Sequence, residues 1–503
     1  MQLAFCMNNV DIFKGISFII ANFTCFGIAF QQYKKGNFKV VLGLIILGGL
    51  MLRLWCIFDP FLHVWDERYH ALVAKNLSIN PLKPTLFIDP ILSYDFRNWS
   101  SNHVWLHKQP MSLWIIAWVL KIFDNYEWAV RIPSIIFSLI SVGFTYKIAH
   151  FLTKSVPIAL LAAFFQSING FVIEVASGRT ATDHVDNFFF FFIELTVFLT
   201  VLFAENLKKR YIIFTGISLG FALLTKSFPA LIVLPIFILL FKNIIGWRRS
   251  MVHVFSIILV ASIVYLPWQY YIFTTYPNEA NWENYFNFLH LTHAVEGQAG
   301  EWWWHFDNAR KIWNELIFVA LVWFIFHLQK NRNDLKIWAL ATWIFVPYIF
   351  FSAVGTKMSA YVLFTAPAVF VVEAKFLFDV QNNYVKYPFL RKIWVYLFVI
   401  LTVRYCYERV KPFQVDKYYE HAIEAQKVKN LSKVLSKSQK NVIFGLKPYI
   451  ECMFYHDNTV AYPFIPNEKI IDSLSQLNYK IFIISEGQKD SNLGKINAEF
   501  ILF

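Results

Sequence analysis

The segment VVLGLIILGGLMLRLWCIFDPFLHVWDE, residues 40–67, places two adjacent carboxylates, Asp66 and Glu67, shortly after a long apolar run. The run has the length of about 20 residues that one membrane-spanning helix needs. An acid at a membrane boundary is costly to desolvate, and residues held there usually serve chemistry or ion handling. The segment therefore predicts a helical membrane protein whose boundary acids carry the function.

Composition excludes a soluble globular protein. Of the 503 residues, 57% are hydrophobic, 19% are aromatic and only 16% are charged, and the mean hydropathy is +0.46. The net charge of +13 does not indicate nucleic-acid binding, because the lysines and arginines lie in short clusters between apolar runs, as the positive-inside rule describes. The five cysteines show no paired spacing, so the sequence predicts neither a disulfide framework nor a zinc site.

The apolar segments predict an all-α polytopic membrane protein with about 11–13 transmembrane helices. The candidate spans are 15–31, 40–58, 131–149, 156–176, 186–204, 211–225, 228–242, 252–272, 313–328, 336–354, 359–378 and 391–407. Residues 111–123 form a shorter apolar stretch that fits an interfacial or re-entrant helix. Residues 15–31 lack the small-residue cleavage site of a signal peptide, and we expect them to remain as an additional helix.

Charge predicts the orientation of these helices. If 111–123 does not cross, the basic clusters all fall on one face, which should be cytoplasmic. The opposite face then receives the long loop 59–130, the segment around Asp183, the loop 273–312, Lys357 and the C-terminal tail. A crossing helix would divide the basic clusters between the two faces, so we prefer the first arrangement.

After residue 408 the sequence becomes polar enough for a soluble domain. An amphipathic helical pattern covers 418–436, and a helix-like segment, 468–477, lies between the strand-like runs 441–446 and 479–485. We predict a small C-terminal α/β domain on the outer face, without a chemical motif. The predicted domains are an N-terminal segment 1–38, a transmembrane catalytic domain 39–407 that contains the first loop 59–130, and the soluble domain 408–503.

The first loop holds the leading group of candidate functional residues. Asp66, Glu67 and Tyr69 lie near its start, and His107 and Lys108 follow further along. Carboxylates and a cation on one membrane surface can bring a proton acceptor to a phosphate. The alternative is that Asp66 and Glu67 only cap the helix that follows them, since helix N-termini favour carboxylates.

Other ionisable residues lie beside apolar runs. In SGRTATDHVDNF, Asp183 is the better functional candidate, whereas Asp186 can be a cap of the next helix. Lys226 sits between two apolar runs, and Lys357 and Tyr361 are spaced by one helical turn at the mouth of a span. Lysines so placed bind phosphate as point charges, and snorkelling towards water is the alternative.

A second long loop contains HLTHAVEGQAGEWWWHF, residues 290–306. His290 and His293 have a helical spacing that suits a divalent metal, but no third ligand follows from the sequence. Glu296 and Gln298 lie at glycine-containing turns and are candidates for contacting an acceptor or shaping the loop. The three consecutive tryptophans are typical of an interfacial aromatic belt.

Cations and carboxylates on one face of a helix bundle suit a substrate with a membrane-embedded tail and a phosphate head, such as a polyprenyl-phosphate sugar. The cations would stabilise the phosphate as a leaving group, and a carboxylate would accept the proton of an incoming hydroxyl. A lipid or solute transporter or flippase is the competing class, although transporters usually hold charges near the midplane and contain internal repeats. A third class, a scaffold that binds partners through its tail, predicts that Asp66 and Asp183 are dispensable.

The chain resembles the bacterial branch of the protein O-mannosyltransferase and aminoarabinose lipid A transferase superfamily, the GT-C fold glycosyltransferases. The resemblance lies in the ordered motifs WDERYHALVAKNL, HKQPMSLW, RIPSIIFSL, GRTATD, GFALLTKSFPALIVLP, LPW, VEGQAGEWWW and TKMSAYVLFTAP within residues 40–378. It implies a bacterial inner-membrane enzyme with a periplasmic active site. Such an enzyme would take a sugar from undecaprenyl phosphate, with inversion, to lipid A, a surface glycan or a protein.

The family pattern assigns roles to individual residues. Asp66 matches its catalytic first-loop aspartate, Glu67 the acidic neighbour, and Asp183 a second acid. Lys108, Lys357 and Tyr361 match its donor-phosphate contacts. Lys226 and Tyr69 lie within the same motifs and complete the predicted donor-phosphate set of Lys108, Lys357, Tyr361, Tyr69 and Lys226.

Two departures from the family pattern concern metal binding and specificity. Aminoarabinose transferases have a Glu before the first-loop lysine and a His in the outer loop as metal ligands, and this sequence has His107 and Gln298 at those places. A divalent metal held by His107, His290 or His293 therefore stays an open alternative. Tyr69 replaces an Arg of those enzymes, which points to a different donor sugar or acceptor.

Overall fold

A computed structural model of the chain describes residues 2–180, 183–384, 388–411, 415–477, 479–485 and 498–502. The helices are α1 (Gln2–Lys34), α2 (Phe38–Ile57), α3 (Asp66–Ile79), α4 (Pro110–Phe123), α5 (Glu127–Thr153), α6 (Val156–Ile168), α7 (Gly170–Ala176), α8 (Asp183–Asn206), α9 (Arg210–Lys226), α10 (Leu234–Ile245), α11 (Trp247–Thr275), α12 (Pro277–Thr292), α13 (Trp304–Ile312), α14 (Ile317–Lys330), α15 (Leu335–Ala353), α16 (Ala366–Asp379), α17 (Pro388–Val410), α18 (Val415–Asn430), α19 (Tyr449–Tyr455) and α20 (Glu468–Gln476). The strands are β1 (Asn441–Phe444), β2 (Thr459–Tyr462), β3 (Lys480–Ser485) and β4 (Glu499–Leu502). Short 3₁₀ helices cover Phe228–Val233, Val295–Gly297, Ser359–Thr365 and Leu431–Lys433, and a π-helical turn covers Val380–Tyr384.

Within the described residues, seven helical segments are long and apolar enough to cross a membrane. They are Gly15–Lys34, Phe38–Ile57, Glu127–Thr153, His184–Asn206, Trp247–Thr275, Leu335–Ala353 and Ser359–Asn382. Two bent pairs, α6 with α7 and α13 with α14, raise the number to nine if each is one span. The sequence predicted about 11–13 spans, and the difference arises because several predicted spans are short, such as α9 with 17 residues and α10 with 12.

The structure separates into two compact units, which we call the bundle unit and the loop–tail unit. The bundle unit consists of Met1–Ile57, Lys108–Ser112 and Arg131–Phe413. The loop–tail unit consists of Phe58–His107, Leu113–Val130 and Gln414–Phe503. Most of the first loop is thus grouped with the C-terminal segment rather than with the apolar helices that flank it in sequence.

Small residues bring the central helices of the bundle unit together. α9 packs against both α8 and α11. A Cβ added at Gly216 or Gly220 of α9 would lie 2.6 Å from the Cβ of Val260 or Val264 of α11. This GxxxG spacing permits the close backbone approach that drives helix association in membranes. The packing fixes the end of α9, which carries Lys226.

The loop–tail unit contains a parallel four-stranded sheet in the order β2-β1-β3-β4. α19 connects β1 to β2 and α20 connects β2 to β3, as parallel pairing requires. Val442, Ile443 and Phe444 of β1 are fully buried, which explains the continuous apolar run in the sequence. The predicted small α/β domain is confirmed, and the sequence reasoning missed β2, β4 and α19.

Candidate functional site

Polar side chains of the bundle unit gather at the end where α8 begins and α9 finishes. The two helices are joined by residues 207–209 and run antiparallel, so the first turn of α8 lies beside the last turn of α9. Asp186, 4% exposed, forms an ion pair with Lys226 across this hairpin. The Lys226 ammonium also lies 4.6 Å from the centroid of the Tyr361 ring. Lys226 is therefore paired rather than snorkelling, and Asp186 does more than cap α8.

α12 adds an acid and a histidine to the same electrostatic group. Glu283 and His290 are seven residues apart, which places them on one helix face, and Lys108 interacts with both. Burial raises the pKa of the Glu283 carboxyl to about 7, against the opposing effects of Lys108 and His290. Burial lowers the pKa of His290, and Lys108 and Lys226 lower it further. Buried acids with raised pKa values are typical of functional sites.

The outer loop is hydrogen-bonded to the segment between α15 and the 3₁₀ helix Ser359–Thr365. The amides of Gly355 and Thr356 donate to the carbonyls of Leu291 and His290 at 2.9 and 3.0 Å, and the amide of Lys357 donates to the Gln298 carbonyl at 2.9 Å. A Cβ at Gly355 would lie 2.5 Å from the backbone nitrogen of His293. Only glycine fits this close approach, so Gly355 fixes the loop position.

Lys357 occupies a buried position, 3% exposed, at the end of α15. Its ammonium donates hydrogen bonds to the carbonyls of Phe351, Ser352 and Val354, the last of them a short contact. It thereby satisfies carbonyls that the helix end leaves open. The predicted one-turn spacing from Tyr361 is wrong, because Lys357 precedes the helix that contains Tyr361. Its role in phosphate binding stays a prediction.

In the loop–tail unit, Asp66 and Glu67 lie in the first turn of α3. Asp66 is 8% exposed and Glu67 is fully buried. Glu67 accepts a hydrogen bond of 2.6 Å from the His63 amide, and its carboxylate lies 2.6 Å from His63 Nδ1. His63 Nε2 lies 3.0 Å from the Asp59 carboxylate. The imidazole therefore bridges two buried carboxylates and holds Glu67 in place.

Asp66 and Glu67 lie at the N-terminus of α3, as the capping alternative predicts, but neither is the N-cap residue. The N-cap position is Trp65, with φ 86° and no side-chain cap hydrogen bond. Asp66 and Glu67 are the first two residues inside α3, where carboxylates still gain from the helix dipole. A tryptophan at positive φ is strained, and this strain sets the direction in which the chain enters α3.

The model of the family described as dolichyl-phosphate-mannose-protein mannosyltransferase matches residues 107–271. Among relatives, undecaprenyl phosphate-alpha-4-amino-4-deoxy-L-arabinose arabinosyl transferase 1 of Pseudomonas fluorescens (strain Pf0-1) is 25% identical over 63% of this chain and 54% of its own length. An uncharacterized protein of Aquifex aeolicus (strain VF5) is 24% identical over 66% of this chain and 64% of its own length. The chain thus spans about half to two thirds of the curated relatives it matches.

Two solved structures are similar in fold. ArnT from Cupriavidus metallidurans, bound to undecaprenyl phosphate, superposes with a TM-score of 0.60 at 12% identity and covers 88% of this chain and 86% of that one. The chain has the GT-C fold of ArnT. The Archaeoglobus fulgidus oligosaccharyltransferase, in the form tethered to an acceptor peptide, gives a TM-score of 0.53 at 13% identity over 87% of this chain and 68% of that one.

The predicted histidine metal site has little support in the structure. In its described residues, no group of three or more His, Cys, Asp or Glu side chains is arranged to hold a metal. The helical spacing of His290 and His293 is wrong, because α12 ends at Thr292 and His293 is extended. His290 Nδ1 lies 2.9 Å from the Phe286 carbonyl, and the His107 ring stacks on Trp99 at 4.6 Å. One ring nitrogen of His290 and one ring face of His107 are thus already in contact with other protein groups.

Asp183, Glu296 and Tyr69 are the remaining predicted site residues. Asp183 is the first residue of α8, and its side chain lies outside the described residues. Glu296 is exposed, with φ 56°, and contributes to the electrostatic group around His290. Tyr69 is buried and packs edge-on against Trp99 with ring centroids 5.0 Å apart. Their assigned roles remain predictions.

Sequence reasoning missed two residues, Glu283 and His63. Glu283 shares a face with His290 at a spacing of two helical turns, and this i, i+7 pattern was a usable signal. His63 lies four residues after Asp59 and four before Glu67, but Asp59 and His63 precede α3, so this spacing is not produced by one continuous helix. Only the folded turn brings that imidazole between its carboxylates.

Proposed function

We propose that this chain is an inverting glycosyltransferase that moves a sugar from a polyprenyl-phosphate donor to an acceptor hydroxyl at the periplasmic face of a bacterial inner membrane. Its similarity to arabinosyl and mannosyl transferases supports this reaction class, as does the undecaprenyl phosphate bound to the structurally similar ArnT. The acceptor would be lipid A, another surface glycan or a protein. Mass spectrometry of these three fractions from a deletion strain would identify the missing sugar and its acceptor.

The observation that carries the proposal is the cationic group at one end of the bundle unit. Lys108 and Lys226 both lower the pKa of His290. Lys226 forms an ion pair with Asp186, and its ammonium lies over the Tyr361 ring. Lysine ammonium groups in a partly desolvated site bind a phosphate strongly and stabilise the negative charge that develops on it as a leaving group. The neighbouring aromatic and apolar helices suit a lipid tail.

The reaction requires a proton acceptor as well as a phosphate site. The oxygen of the acceptor hydroxyl forms a bond to the anomeric carbon on the face opposite the phosphate, and its proton passes to the Asp66 carboxylate. The bond between the anomeric carbon and the phosphate oxygen breaks, and its electron pair remains on the phosphate. Glu67, fixed by His63, keeps the first turn of α3 in position.

Replacing Lys226 tests the phosphate site. Lys226→Met should weaken binding of undecaprenyl phosphate by roughly 10- to 100-fold, because a charge-assisted hydrogen bond contributes about 1.5–3 kcal/mol. The matched control is Lys209→Met, since Lys209 is exposed and lies at the opposite end of α9. Binding would be measured by microscale thermophoresis on the full-length protein in nanodiscs. Equal affinities for both variants would contradict the phosphate site.

Replacing Asp66 tests the proton acceptor. Asp66→Asn should lower sugar transfer by about 10²–10⁴-fold, the usual contribution of a general base, while undecaprenyl phosphate still binds. Asp95→Asn is the control, because Asp95 belongs to the same unit and pairs with Arg97 at the exposed surface. Transfer would be followed by release of polyprenyl phosphate from membranes of the source strain. Full activity of Asp66→Asn would remove the base assignment.

A further inference from the structure

The loop–tail unit contains a pocket of 210 Å³ between the start of α3 and helices α18 and α19. Its polar lining consists of Arg68, His421, Glu424, Lys447 and Glu451. Its apolar lining consists of Phe61, Leu62, Val64, Ala425, Val428 and Pro448. The described residues that line it all belong to this one unit. The cationic group of the bundle unit is a different site.

We propose that this pocket binds one sugar residue of the acceptor, as an uncharged polyhydroxylated ring. The inference rests on the proposed function, because it supplies the acceptor that the glycosyltransferase reaction needs. Arg68 stands two residues after Asp66 in the first turn of α3. A sugar held against Arg68 would therefore lie beside the helix turn that carries the proposed base.

The charges of the pocket favour a neutral ligand. Two basic residues, Arg68 and Lys447, are matched by two acidic ones, Glu424 and Glu451, and Arg68 Nη1 donates to Glu451 Oε1 at 3.2 Å. The carboxylates would repel a phosphate, and the cations would repel an amine. Alternating donors and acceptors instead suit hydroxyl groups, each of which can donate and accept a hydrogen bond.

Two buried polar atoms point to a hydroxyl ligand. Arg68 Nε, a donor, and Glu451 Oε2, an acceptor, are buried and have no hydrogen-bond partner among the described residues. Such atoms are costly and call for an explanation. A small shift of the two side chains towards one ligand hydroxyl would satisfy both, because the hydroxyl oxygen accepts from Nε and its hydrogen is donated to Oε2.

The size and apolar lining of the pocket fit one sugar ring. A volume of 210 Å³ has room for about seven water molecules at 30 Å³ each, close to the volume of a single hexose. Phe61 is buried, and its ring packs against those of Tyr418 and His421 at 5.3 and 5.5 Å. The apolar lining offers a surface for the C–H face of the ring, while the charged rim binds its edge.

Saturation-transfer NMR on the full-length protein in nanodiscs tests the proposal. The probes are the methyl glycosides of mannose, glucose, galactose and glucosamine, offered one at a time. We expect binding of at least one sugar, with roughly 3- to 10-fold lower affinity in Glu451→Gln and Arg68→Met, as loss of one hydrogen bond predicts. Ala425→Leu, which fills the pocket without removing a charge, should also weaken binding.

Arg97→Met is the matched control, because Arg97 pairs with a carboxylate in the same unit but lies at the exposed surface. Undecaprenyl phosphate binding is also measured on every variant. It shows, independently of sugar binding, that the variant is folded and that its donor site is intact. Absence of sugar binding, or binding that the pocket variants do not change, would overturn the proposal. Sugar binding by a wild-type protein that does not bind undecaprenyl phosphate would instead contradict the proposed donor and leave the pocket standing.

Discussion

At the scale of single residues, Glu283 links the cationic group to pH. Its carboxyl is 4% exposed, and burial raises its pKa to about 7. Because the pKa is raised, the neutral form stabilises the fold fully below the ordinary value of 4.5, and this stability is lost as pH rises through about 7. Near neutral pH, Glu283 therefore changes charge beside Lys108 and His290.

Glu283→Gln should change the pH dependence of donor binding. Below about pH 7, the neutral carboxyl does not compete with the phosphate for the charge of Lys108, whereas above it the carboxylate competes. If bound phosphate raises this pKa by about one unit, affinity falls by up to about tenfold across that range. The measurement is undecaprenyl phosphate affinity against pH. Dividing the wild-type affinity by the Glu283→Gln affinity at each pH cancels the titration of undecaprenyl phosphate itself. A ratio that does not vary with pH would contradict the coupling.

Lys357→Met should destabilise the protein as well as weaken donor binding. Its ammonium satisfies three carbonyls at the end of α15, so the free energy of unfolding should fall by about 1–3 kcal/mol. Thermal unfolding and undecaprenyl phosphate affinity would be measured on the same preparation. Lys330→Met, at an exposed lysine, is the control. An unfolding change without an affinity change would limit Lys357 to helix capping.

At the scale of elements, long patterns were predictable and short ones were not. The apolar runs 441–446 and 479–485 predicted β1 and β3, whereas β2 and β4 lie in shorter segments that were not predicted as strands. α12 begins at Pro277, and the sequence predicts only a loop there, so its acid at position 283 was missed. The ion pair between Asp186 and Lys226 joins residues 40 positions apart. It could be predicted only by recognising the α8–α9 hairpin.

Lys75 of α3 is predicted to stabilise α19 through its helix end. Its buried ammonium donates to the carbonyls of Met453 and Phe454, both at 2.9 Å. Lys75→Met should leave these carbonyls unsatisfied and lower local stability by about 1–3 kcal/mol. Hydrogen exchange of residues 449–455 would measure the loss. Lys83→Met, at an exposed position, should not change it, and equal protection in both variants would contradict the role.

At the scale of the whole molecule, composition and charge clusters predicted the class of protein, and motif order predicted the GT-C fold. The division into units was less accessible. The covalent chain suggests that residues 59–130 belong with the helices around them, but Phe61 packs against Ala422 and Ala425 of α18, and Arg68 pairs with Glu451. Such contacts depend on side-chain complementarity between distant segments, which a single sequence does not display.

The Lys75 and Arg68 contacts also determine when the proposed catalytic turn is complete during synthesis. Their partners lie 378 to 383 residues later in the chain. At about 5–20 residues per second, a ribosome needs roughly 20–80 s to make that stretch. The acid-bearing segment therefore leaves the ribosome long before α19, and its contacts through Lys75 and Arg68 form only after most of the chain has been made.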